Sequence, residues 1–264
     1  MLTYHNDNAR TGQYLTETTL TPANVNTSSF GKQFALAVDG QVWAEPLYVS
    51  GVNVPGVGVR NVVYVVTMHD SVYAFDADTP GLPLWHVDLT GTRADGTVVT
   101  PVPMANIGGT DIKVEVGILG TPVIDGPTGT IYFVARTKET LGGVSSYVQT
   151  LHAVDIATGA ERPSGPTVIA ATVAGAGTGG DASGNIASDG LIQNQRPGLL
   201  LSRGVVYIAW ASHSDGGPYH GWVIGYDAAT LRQVAVWNTT PDGGEGASGL
   251  AARPPRPTSR AIST

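Results

Sequence analysis

The alternation of apolar and polar positions divides the chain into short strands. In NVVYVVT (residues 61–67) both alternating faces are apolar: Val62, Tyr64 and Val66 on one, Val63 and Val65 on the other. A strand of that kind is covered on both sides. SVYAFDAD (71–78) again has no polar face, and the DADTPG that ends it supplies a tight turn before LPLWHVDL leaves as another strand.

This layout occurs three times. The first unit has PLYV (46–49), NVVYVVT and SVYAFDADTPGLPLW. The second has TPVID (121–125), GTIYFVA (129–135) and TLHAVDIATGA (150–160). The third has RPGLLL (196–201), GVVYIAWAS (204–212) and WVIGYDAATLRQVAVW (222–237). Pro46, Pro122 and Pro197 recur about 75 residues apart, as do the closing aspartates Asp76, Asp155 and Asp227. Each unit reads as a four-stranded antiparallel meander. Sheets buried on both faces and repeated along a chain predict an all-β fold, a β-propeller of four-stranded antiparallel blades. Three blades do not close a ring of four to eight, so the propeller is incomplete. The segments GVNVPGVGVR, RTKETLGGVSSYVQ and ASHSDGGPYHG read as insertions between neighbouring strands.

Composition agrees with many turns and little helix. Of 264 residues, 42% are hydrophobic, 35 are glycine and 17 proline, and only 13% are charged, about half the usual share. A net charge of −7 with 14 Lys plus Arg gives no electrostatic footing for nucleic acid or an anionic membrane. No apolar stretch approaches the roughly 18 residues of a membrane span. The absence of cysteine excludes disulfides and thiolate chemistry. Low charge with abundant Thr, Asn and Gly leans towards export, to a periplasmic or extracellular location, and the polar start LTYHNDNARTG carries no signal peptide.

Recurrence separates structural from functional candidates. Asp76, Asp155 and Asp227 recur before a turn and read as Asx-type caps, and Tyr64, Tyr132 and Tyr207 recur as packing residues. His69 and Asp70 sit at a tight connection between buried strands. Asp70 with Ser71 reads as the turn itself, while His69 stands as a possible base at a channel mouth. His213, Asp215 and His220 lie within eight residues, but their spacing matches no zinc pattern and their glycines and proline read as a polar binding loop. Glu115 precedes the second unit's first strand, and Asn194, Gln195 and Arg196 precede the third's. Such positions face the central funnel of a propeller, which makes Glu115 and Arg196 a ligand-facing pair. His5, Asp7 and Arg10 read as an N-terminal segment clasped by hydrogen bonds.

The words LTYHNDNARTGQYLTETTLTPANV, VVYVVTMHDSVYAFDADTPGLPLW, GTPVIDGPTGTIYFVA and ASHSDGGPYHGWVIGYDAAT resemble the quinoprotein alcohol dehydrogenase-like superfamily, in particular pyrrolo-quinoline quinone (PQQ) repeat proteins. The resemblance runs to about Glu245. It implies PQQ-type blades and, for the dehydrogenases, PQQ with a calcium or lanthanide ion held by Glu, Asn and Asp, with a Trp beneath the quinone and often a cap of adjacent cysteines. This chain has no cysteine and shows no ordered Glu, Asn, Asp set, so no metal and no cofactor is assigned from its residues. Two functions follow: an exported propeller acting as a binding or interaction scaffold for a small molecule, glycan or protein, and, as the alternative, a PQQ-dependent alcohol or sugar oxidoreductase.

Residues 1–246 are expected to form the partial propeller. Residues 247–264, with Arg253, Arg256 and Arg260 among prolines and no acidic or aromatic residue, read as a non-native or disordered tail. Read one nucleotide earlier, degenerate codons for the tail are compatible with the start of a fourth unit, so the expectation is a frameshifted fragment whose remaining blades lie elsewhere.

Overall fold

The computed structural model describes residues 1–108 and 112–247; apart from Ala247, the expected tail lies outside them. Among the described residues the only helix is Met104–Ile107, and the rest of the regular structure is antiparallel strand. The three repeat units form three four-stranded meanders. The first blade comprises Leu47–Val54, Gly58–Val66, Ser71–Asp76 and Trp85–Asp88. The second comprises Val123–Asp125, Thr130–Leu141, Val144–Asp155 and Thr167–Val168. The third comprises Leu200–Ser202, Val205–Ser212, Trp222–Asp227 and Gln233–Asn238. The fold is an incomplete β-propeller.

Two of the three expected insertions are strand. GVNVPGVGVR closes the hairpin that pairs Val54 with Gly58, and RTKETLGGVSSYVQ prolongs the second blade's central hairpin, pairing Arg136 with Gln149 out to Leu141 with Val144. Both are rich in β-branched residues and carry glycine at the tip, where Gly142 and Gly143 adopt positive φ. Val98–Pro103 pairs with the prolonged strand, and Gln193–Asn194 does the same for the third blade.

The blades share one register. Leu47, Val123 and Leu200 on the inner strands face Tyr64, Tyr132 and Tyr207, which in turn face Ala74, Ala153 and Gly225. One face of the first sheet meets the second, and one face of the second meets the third. Val62, Tyr64, Val66 and Ala74 of the first pack with Ile131, Phe133, Val154 and Ile156 of the second. Tyr132, Val134, Leu151 and Ala153 of the second pack with Ile208, Trp210, Trp222 and Ile224 of the third. Burying a side chain such as Phe133 or Ile208 contributes about 1.5–3 kcal/mol, so these seams hold the array together. Each seam is pinned by one phenol: Tyr64 donates to the Ile156 carbonyl and Tyr132 to the Ala228 carbonyl, both at 2.9 Å.

The N-terminal segment crosses all three inner strands. Met1 and Tyr48 exchange hydrogen bonds, Ile124 N–H donates to the Leu2 carbonyl, and Asn8 and Arg10 donate to Leu201 and Leu199. This is the expected clasp. Arg10 is buried against carbonyls and Thr3, and desolvation lowers its pKa to about 10.

Candidate functional site

Antiparallel order gives the blades two unlike ends. The turns after each first and third strand share one end. The other end carries the connections between second and third strands and the links between blades. We call these the turn end and the loop end.

At the turn end the three aspartates do the same work. Asp76 accepts from the Asp78 N–H, Asp155 from the N–H groups of Ala157 and Thr158, and Asp227 from the N–H and hydroxyl of Thr230. They are Asx caps. Hydrogen bonds from Thr230 hold Asp227 below its ordinary pKa. Pairing with Arg60 and Arg162 further ties Asp76 and Asp155.

The loop end does not repeat. At the position two residues after the conserved-register strand segment, the first blade has Met68, the second Arg136 and the third Ala211. Arg136 is 3% exposed. Its guanidinium contacts His213 Nε2 and the Leu191 carbonyl, and its backbone N–H donates to Asp70 Oδ1 at 3.3 Å. Desolvation lowers the Arg136 pKa to about 10. Burial likewise raises Asp70 well above the carboxylate range, with Glu115 and Asp88 adding repulsion against the lowering effect of Arg136. Asp70 does sit in the turn, at φ 56°, but its side chain is fully buried against the second blade. Gly117 passes so close that an added Cβ would stand 2.5 Å from the Met68 carbonyl and 2.7 Å from Asp70 Oδ1. A side chain at 117 would push Asp70 from its place.

Beside this buried cluster runs an accessible row. His69, with 39% of its side chain exposed, donates from Nδ1 to Glu115 Oε1 at 2.8 Å. That hydrogen bond raises the His69 pKa, against the opposing effect of partial burial. Asp39 accepts from Thr67 and Ser71, and Gln41 accepts the Met68 N–H, which lays residues 39–41 over the His69 turn. Trp43 follows, 42% exposed, its indole N–H on Gln41 Oε1 at 2.9 Å. The Arg196 guanidinium lies over the Trp43 ring at 5.7 Å, a cation–π contact.

Glu115 and Arg196, the two residues expected to face a ligand, hold different partners. Each residue is at the loop end, but Glu115 binds His69 and Arg196 binds Trp43. His213, Asp215 and His220 do not converge either. His213 contacts Arg136, Asp215 accepts from the Tyr219 hydroxyl at 3.2 Å, and His220 contacts Thr240 and the Thr178 carbonyl. Trp43, Arg136 and the buried role of Asp70 were missed by sequence reading. A lone arginine inside the apolar word IYFVART was the available signal for Arg136.

The calcium that a quinoprotein would require does not fit this end. Among the described residues no three His, Asp or Glu side chains are placed to hold a metal ion together. Asn194, Gln195 and Arg136 do line one small buried space, but the positive charge of Arg136 in that lining repels a dication. Trp43 and Arg196, by contrast, offer a ring face and a carboxylate partner.

No family model and no curated protein matches the chain. Among solved structures, the chain is similar to a quinohemoprotein alcohol dehydrogenase, ADHIIG, from Pseudomonas putida HK5, at 19% identity and a TM-score of 0.43, over 77% of this chain and 21% of that one. The chain spans about a fifth of the length of that enzyme.

Proposed function

We propose that the chain is the binding part of an exported β-propeller, with the loop end as its ligand-facing surface. The observation that carries this reading is the Arg196 guanidinium over the exposed Trp43 ring, in a row that continues through Gln41 to His69 and Glu115. A half-exposed indole supplies a flat apolar platform, and Arg196 can turn its fork to a carboxylate or phosphate. The ligand class that suits both is a small planar anion. Among the described residues no helix is long and apolar enough to cross a membrane.

The His69–Glu115 pair favours a second reading, an oxidoreductase, because a carboxylate on Nδ1 orients an imidazole whose Nε2 can take a proton. PQQ itself is a planar polycarboxylate, so one titration serves both readings. The chain is titrated with PQQ, with and without Ca²⁺, following indole fluorescence, quinone absorption and dye reduction with an alcohol or aldose. The binding reading expects fluorescence quenching that Trp43→Phe reduces and Arg196→Ala weakens about tenfold, without need for Ca²⁺. Turnover abolished by His69→Gln supports the enzyme reading. If neither PQQ nor a panel of planar carboxylates and sugar phosphates perturbs the fluorescence, the proposal fails.

A further inference from the structure

At the loop end the second blade and the strand entering the third enclose a space of about 10 Å³, room for one water-sized sphere. Val116, Leu119 and Val134 supply its apolar wall, and Arg136, Asn194 and Gln195 its polar one. The three polar residues are 3%, 4% and 5% exposed. Each keeps one buried atom with no hydrogen-bond partner among the described residues: Arg136 Nε, Asn194 Oδ1 and Gln195 Oε1. Leaving such atoms unpaired is costly, and folded proteins pair nearly all of them.

The neighbouring atoms fix what these side chains offer. The Arg136 guanidinium uses its two terminal nitrogens on His213 and the Leu191 carbonyl, so Nε–H is the donor left over. Gln195 donates from Nε2 to the Pro197 carbonyl at 2.7 Å, which leaves its oxygen as the acceptor. An added Cβ on Gly120 would collide with that oxygen, so the glycine admits the amide. One donor and two acceptors are the complement of a single water, which gives two protons and receives one. An ion fits less well, because Arg136 repels a cation and the two amide oxygens repel an anion. A second space of the same size, beside Gln149, makes the contrast. There Gln149 donates to the Gly190 and Gln193 carbonyls and accepts from the Trp210 indole, so its amide is satisfied within the protein.

We propose that the space beside Arg136 is a hydration site holding one long-lived water, which accepts from Arg136 Nε and donates to Asn194 Oδ1 and Gln195 Oε1. Arg136 belongs to the second blade, and Asn194 pairs with Ala211 of the third. The water therefore ties these blades at the loop end, as the Tyr132 hydrogen bond to the Ala228 carbonyl does nearer the turn end. The lining comes wholly from residues 116–136 and 194–195, so the site does not depend on what adjoins the three blades. It is also separate from the Trp43–Arg196 row and stands whether or not that row binds a ligand.

The test is a high-resolution crystal structure of the full chain, with deuteron magnetic relaxation dispersion in solution and urea unfolding for wild type, Val134→Ile and Asn194→Leu. The crystal structure is expected to show one water within hydrogen-bond distance of all three atoms. The wild-type dispersion should contain a long-lived water that both variants lack, since isoleucine fills the space with its extra methylene and leucine removes an acceptor. Expelling the water leaves Arg136 Nε and Gln195 Oε1 unpaired, so the folding equilibrium constant of Val134→Ile should fall about tenfold. A dry space gives the opposite signs: a dispersion that neither variant changes, and a Val134→Ile protein more stable than wild type because a cavity has been filled. Either result overturns the proposal. So does an ion at the site, or direct contact among the three atoms, in the wild-type crystal structure, which decides the matter even where a variant fails to fold.

Discussion

The two ends of the blades are built by the same strands and follow opposite rules. At the turn end Asp76, Asp155 and Asp227 each accept from a backbone N–H two or three residues further on, so their partners are local. At the loop end the corresponding positions hold unlike residues, and their partners come from other blades: His69 with Glu115 across 46 residues, Arg136 with His213 across 77. Even the histidine–glutamate pairs differ. His152 binds Glu161 near the turn end at the same 2.8 Å as His69 binds Glu115, but it is stacked on Phe133 with 10% of its side chain exposed. Repetition with local partners builds the blade, while variation with distant partners builds a surface that differs from blade to blade. The loop end is where specific chemistry can reside.

The strongest way to break this comparison is to remove one arginine from each end. Arg136→Ala takes the guanidinium from between His213 and the Leu191 carbonyl and leaves Asp70 buried with less compensation. Leaving the buried partners of Arg136 without their donor costs about 1–3 kcal/mol. Arg162→Ala at the turn end removes a pair with Asp155 at 2.9 Å from a side chain that is 34% exposed, and should cost at most about 1 kcal/mol. Urea unfolding of both variants checks the ranking. Equal losses would show that the loop-end cluster is no more than another turn clasp.

Asp70→Asn addresses the same cluster with a smaller expected effect and a definite sign. The amide keeps an acceptor for the Arg136 N–H and removes a carboxyl whose pKa is raised in the fold. A raised folded pKa means the native state holds its proton longer than the unfolded chain, so wild-type stability falls as pH rises from the unfolded aspartate value through the folded one. Asp70→Asn should remove that fall and equal or exceed wild type at neutral pH. Thermal melts from pH 4 to 8 measure it; a variant that loses stability more steeply than wild type as pH rises would contradict the assignment.

At the turn end, Asp155→Ala removes the acceptor of two N–H groups and one hydroxyl at 2.9–3.0 Å. A loss of about 1 kcal/mol is expected, with Asp155→Asn recovering most of it, since an amide oxygen still caps the turn. Neither change should alter ligand binding at the far end, which a fluorescence titration of both variants tests.

How much of this was legible follows from the same contrast. The blades could be read because their words repeat: the tyrosines, the turn aspartates and the doubly apolar strands each occur three times in order. The strand extension at RTKETLGGVSSYVQ was read as an insertion between strands because its polar residues hid a pairing that runs from Arg136 to Leu141. Glu115, His69 and Arg196 share the loop end, since chain direction in a meander fixes which connections lie together. Their partners were not legible. Glu115 meets His69 and Arg196 meets Trp43 only because separate blades stand side by side, and a sequence repeat gives the order of blades without the contacts across their mouths.

The smallest expected effect is also the sharpest test of the loop end, because it separates an accessible group from a structural one. His69→Gln removes an imidazole whose folded pKa is raised by Glu115. The stabilisation it contributes is fully present below the unfolded histidine value of about 6.5 and is lost as pH rises through the folded value. The side chain is 39% exposed, so screening keeps the contribution below about 1 kcal/mol. The variant should therefore match wild type in alkaline buffer and fall slightly behind it near pH 5.5. His152→Gln should instead be weaker at every pH, because it loses the stack on Phe133 along with the Glu161 contact. If His69→Gln behaves as His152→Gln does, the loop-end histidine is a structural clasp and its place in a ligand-facing row is lost.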